Sequence, residues 1–72
     1  MTYQIRVIKE KKKLDKKLAA LNEFIASVGF DAVLEREQQR LRRQVEIMKL
    51  YSDVLAERIS NFGIFDIDAD EN

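Results

Sequence analysis

The chain has 72 residues, with 13 Lys+Arg against 13 Asp+Glu and no cysteine, histidine, proline or tryptophan. Without thiol or imidazole there is no disulfide, thiolate nucleophile, histidine base or ordinary zinc site, so any metal would need oxygen ligands and most enzyme classes lose their parts. No apolar run approaches the ~18 residues that cross a bilayer, and the N-terminal lysine run is not followed by the apolar segment of a signal peptide.

Residues 1 to 21 carry seven basic side chains (Arg6, Lys9, Lys11, Lys12, Lys13, Lys16, Lys17) against Glu10 and Asp15. Val7, Leu14, Leu18, Leu21, Ile25 and Val28 fall on a line of 3- and 4-residue steps whose missing member is Lys11, which predicts one amphipathic helix over about 3–28. Gly29 then reads as a left-handed helix stop and Asp31 as the N-cap of the next helix. A turn this short predicts an antiparallel hairpin.

The second helix is expected over about 32–61. Leu34, Leu41, Val45, Met48, Leu55, Ile59 and Phe62 keep a 4-3 rhythm, with polar Gln38 and Ser52 at the remaining steps, close to a coiled-coil seam. Ile47, Tyr51 or Leu50, and Val54 form a second apolar line beside it, a wider arc than one partner helix covers. A domain this small buries only about 60% of its unfolded surface, so a lone hairpin should be marginal and self-association is the expected remedy. The predicted fold is therefore all-α: a two-helix hairpin over 1–62, self-associating into a helical bundle through Leu41, Val45, Met48, Tyr51, Leu55, Ile59 and Phe62. A charge at Leu55 should break that assembly.

Residues 63 to 72 change character. Ile64-Phe65-Asp66-Ile67-Asp68 alternates like a short strand with nothing evident to pair with, and Asp66, Asp68, Asp70 and Glu71 stand there without a base, so a flexible acidic tail is expected. Asp66, Asp68 and Asp70 open like a calcium loop, but the sixth position is Glu71 instead of glycine and the chain ends before a twelfth-position glutamate, so no metal site is assigned. No cofactor is expected either. Two helices offer no pre-organised pocket and there is no glycine-rich phosphate loop, so the expected activity is binding without catalysis.

The binding candidates are the cations. Glu10 and Asp15 interrupt the lysine run, so its first reading is a solvated helix face; direct DNA binding is a weaker reading, and beside an oligomer seam the same face can equally line a pocket for a small anionic ligand. On physical grounds Tyr3 can stack on a base while Arg6, Lys9 and Lys13 hold phosphate; Arg40 and Arg43 form a second set.

Four stretches also carry a resemblance: R-V-I-x-E-K-x-x-L-D-x-K-L-x-x-L-x-x-F-I from Arg6 to Ile25, G-F-D-A-V from Gly29 to Val33, E-x-x-x-L-x-x-Q from Glu37 to Gln44, and M-K-x-Y-S-D-V-L-A-E-R-I from Met48 to Ile59. They resemble a family of very small helical hairpins encoded by tailed phages, and the hairpin is similar to the helical domain of phage sponges, the anti-CBASS and anti-Thoeris proteins that sequester cyclic-nucleotide signals of bacterial defence. The resemblance implies a homo-oligomer in the host cytoplasm that binds an anionic signalling nucleotide at subunit junctions. The chain also resembles small early proteins from lambdoid accessory regions. That likeness implies the competing function, a developmental regulator that contacts a host or phage protein.

Overall fold

The computed structural model describes residues 2–62, which form an all-α antiparallel hairpin. Helix α1 runs Tyr3–Ile25, a 3-10 helix spans Val28–Ala32, and α2 runs Glu35–Ser60. The result is a rod of 50 × 16 × 15 Å. The expected acidic tail and its aspartate series lie outside the described residues. Among the described residues no helix is long and apolar enough to cross a membrane.

The turn differs from its sequence expectation. Helix α1 stops at Ile25 instead of continuing to about 28, with Ala26 as a right-handed cap and the Ser27 hydroxyl donating to the Phe24 carbonyl at 2.6 Å. Gly29 does not take the left-handed stop position but lies inside the 3-10 helix, where an added Cβ would meet Ser27 Oγ and Phe24 at ordinary contact distances of 3.6 and 3.8 Å. Asp31 is likewise within the 3-10 helix and does not cap α2, whose N-cap position is Leu34. The entry is held from the other direction. Gln38 Nε2 donates to the carbonyls of Phe30 and Val33 at 2.9 and 3.0 Å, adding a second bond to the Phe30 carbonyl, which already accepts from the Val33 N–H, and tying the turn to the first residues of α2. Glu35 and Glu37 in the first turn and Arg58 in the last oppose the α2 dipole with the favourable signs.

Phe30 anchors the turn. It is buried, meets Phe24 edge to face at 5.9 Å, and carries the Arg42 guanidinium 5.0 Å above its ring. At the open end Tyr3 meets Phe62 edge to face at 5.6 Å. Between these two aromatic clasps runs a thin core of Val7, Leu55 and Phe62, with Leu14 and Ile59 packed against it. Leu18, Leu21, Ile25, Leu41, Val45 and Met48 are only half-buried, because two helices shield each other on one side alone.

The interruptions in the two apolar lines meet. Lys11 Nζ donates to Asp15 Oδ2 at 2.7 Å, and the Ser52 hydroxyl donates to Asp15 Oδ1 at 2.6 Å, linking α1 to α2 in the middle of the seam. These hydrogen bonds from Lys11 and then from Ser52 hold the Asp15 carboxyl below its ordinary value. A depressed carboxylate contributes stability that is complete above its unfolded pKa, ~3.9, and is lost as pH falls through the lower folded value. Acid titration followed by circular dichroism should therefore show the melting temperature falling below about pH 4. The fall should be smaller in Asp15→Asn, and equal falls in both proteins would refute the contribution.

Candidate functional site

Arg6, Lys9 and Lys13 stand at i, i+3 and i+7, so one flank of α1 carries all three, and all are exposed. The ion pairs among the described residues are Lys11–Asp15 and Arg40–Glu37, which leaves this row free of carboxylate partners there. Tyr3 begins the row, one turn before Arg6. Its ring rests on Phe62 yet remains 54% exposed, so it is held in place with surface left to offer. An aromatic ring followed by a guanidinium and two ammonium groups can stack on a base and neutralise phosphate.

Arg40 and Arg43 do not join that row. The antiparallel pairing sets Asp15 level with Ser52 and Tyr3 level with Phe62, which leaves the two arginines toward the turn, roughly 25–30 Å from Arg6 along the rod. Arg40 is bound to Glu37 at 3.0 Å, an exposed pair of the kind that contributes about 0.3–0.5 kcal/mol, whereas Arg43 is exposed and makes neither of the described ion pairs. One chain therefore presents two separate cationic sets.

Most residues expected at a subunit interface face the other helix of their own chain. Leu55 is fully buried, Phe62 is 7% exposed, and Leu41, Val45, Met48 and Ile59 are half-buried in the same seam. Tyr51 alone of that set stands outside, at its edge. What α2 leaves open is the second line: Ile47, Leu50, Tyr51 and Val54 retain between 44% and 65% of their surface. A shallow depression of about 320 Å³, lined by Glu46, Lys49, Leu50 and Asp53, adjoins it on the same helix. It is open to solvent and too shallow to enclose a ligand.

Two structural groups had no distinct signal in the sequence. Gln38 read as a polar gap in an apolar line, and its role appears only when the turn carbonyls are placed. Arg42 is adjacent to Arg43 and two residues from Arg40 in the sequence, but it is committed to Phe30, unlike those two.

The chain belongs to the Sequestin family, whose model matches residues 1–61. It is similar to an uncharacterised 7.5 kDa protein encoded in the denB-rIIB intergenic region of Enterobacteria phage T4. The two are 39% identical over 62 residues, covering 86% of this chain and 97% of the relative. No solved structure matches.

Proposed function

We propose that this member of the Sequestin family is a non-catalytic bacteriophage protein that works in the host cytoplasm as a homo-oligomer and sequesters an anionic signalling nucleotide of host defence. The family's name and the phage relative support a small phage protein that withholds a partner molecule. The observation that carries the ligand class is the exposed row Arg6, Lys9 and Lys13, free of described ion pairs and headed by the half-open ring of Tyr3. A cyclic nucleotide offers the complement: a flat base for the ring and phosphates for the cations. Sequestration requires only tight binding, and it needs no acid, base or nucleophile on the protein.

Titration with a panel of cyclic di- and trinucleotides, read by thermal shift, tests the proposal. A ligand at 100 times its Kd stabilises the folded state by about 2.7 kcal/mol, which in a chain of this size raises the melting temperature by roughly 10 °C or more. Arg6→Ala with Lys13→Ala should abolish the shift while leaving the free protein's melting temperature nearly unchanged, since both side chains are exposed. If no nucleotide produced a shift and the immobilised chain retained one host or phage protein from infected lysate, the competing reading would replace this one. In that case the exposed line Ile47, Leu50, Tyr51 and Val54 would be the contact surface of a developmental regulator.

A further inference from the structure

The hairpin seam uses one side of α2, and the opposite arc has a regular pattern of its own. Arg36, Arg40, Arg43, Ile47, Leu50, Val54 and Glu57 follow one another in steps of 4, 3, 4, 3, 4 and 3, which is a second heptad line on the same helix. Its middle is apolar and open: Ile47 is 58% exposed, Leu50 65%, Val54 50%, and Tyr51 beside them 44%. Basic residues lie on the turn side of this patch and an acid lies on the other. Arg43 and Glu57 are both exposed, and neither takes part in the ion pairs of the described residues.

A line of that form is complementary to itself in one orientation. In an isologous two-fold contact each residue meets a different position of an identical surface, and antiparallel helices bring the turn side of one against the far side of the other. We infer that the outer arc of α2 is the site where a second copy of this chain docks, antiparallel, about a two-fold axis beside Leu50. In that register Leu50 lies at the axis, Ile47 packs on Val54 of the partner subunit, and Arg43 comes level with Glu57 of the partner subunit. The pairing occurs twice by symmetry. A parallel contact would instead set Arg43 against arginine and Glu57 against glutamate, and like charges disfavour it. The antiparallel contact spans Arg43 to Glu57, about 21 Å of helix, and covers the apolar surface that the hairpin leaves in water.

This inference rests on the self-association included in the proposed function and supplies its surface. It is tested without nucleotide, so its failure removes the oligomer or its surface but leaves the ligand reading standing, and a nucleotide panel that gives no shift leaves this inference standing. Sedimentation equilibrium of the full chain should give a dimer or a multiple of it. Leu50→Asp with Val54→Asp should give a monomer of unchanged helicity, because both positions lie outside the seam. Arg43→Glu alone and Glu57→Arg alone should each weaken association about tenfold or more, while the double reversal, which recreates the pair with its signs exchanged, should return close to the parent affinity. A monomeric parent chain, an assembly indifferent to the two aspartates, or a double reversal no better than the weaker single variant would each overturn the inference.

Discussion

Leu55→Asp should unfold the hairpin itself. Among the described residues Leu55 is the one large side chain with no exposed surface, and its neighbours in the core are Val7 and Phe62, with Leu14 and Ile59 packed against them. Truncating such a leucine to alanine already costs roughly 2–5 kcal/mol, and a carboxylate placed there has no cation within the apolar layer to offset its desolvation. Small domains have little stability to lose, so the expected result is loss of most helical circular dichroism. The sequence alone predicts only that the assembly breaks, a result that separated but folded subunits would also give. The two are separable, since helicity and mass are independent measurements. A helical monomer would show that Leu55 serves an interface between chains and that the seam inside the hairpin is dispensable.

That contrast marks how far periodicity reaches. The 4-3 spacing of Leu41, Val45, Met48, Leu55 and Ile59 states that one side of α2 is covered, and the structure covers it. Spacing carries no information on whether the covering helix belongs to the same chain. Here the answer depends on the turn, which is short enough to return α2 along α1 and leaves the second line outside. The turn was the least legible part for a related reason. Gly29 and Asp31 are the residue types that stop and start helices, but the chain uses a 3-10 segment closed by Ser27 and Gln38. Gln38 bonds the carbonyls of Phe30 and Val33 from eight and five residues away, and local propensity does not register bonds of that span. The cationic row on α1 was legible as a row, because exposure follows from the helical phase of the seam. Its separation from Arg40 and Arg43 was not, since distance along the rod requires the pairing of Asp15 with Ser52.

The same pairing leads to the second large effect. Lys11 and Ser52 occupy two of the three polar steps in the seam, the third being Gln38 at the turn, and both converge on Asp15. Filling those steps, as Lys11→Leu with Ser52→Leu, should raise the melting temperature. Leucine at the half-buried Lys11 step and at the buried Ser52 step adds on the order of 1 kcal/mol of apolar burial each, and in a chain of this length that corresponds to a combined rise of roughly 8–16 °C. Asp15 is 44% exposed at its side chain, so its carboxylate can turn to water once its partners are gone.

The gain should come with a loss of uniqueness. Ser52 to Asp15 is the side-chain hydrogen bond that joins the two helices directly among the described residues, and a slip of α2 by one heptad would carry the serine out of reach and set apolar side chains against Lys11. With leucine at both steps, only Gln38 at the turn still interrupts the seam, and the slipped register, the hairpin opened into a domain-swapped pair and the native register present apolar seams of similar quality through the middle of the rod. A single polar layer in such a seam discriminates among them at the expense of stability. The double variant should therefore melt at a higher temperature yet sediment as more than one species, where the parent gives one. A double variant that is more stable and remains a single species would show that the aromatic clasps, Phe24 on Phe30 and Tyr3 on Phe62, fix the register without help. If it is less stable, Lys11, Asp15 and Ser52 hold the fold together in their own right, and the polar layer is a source of stability and not only of specificity.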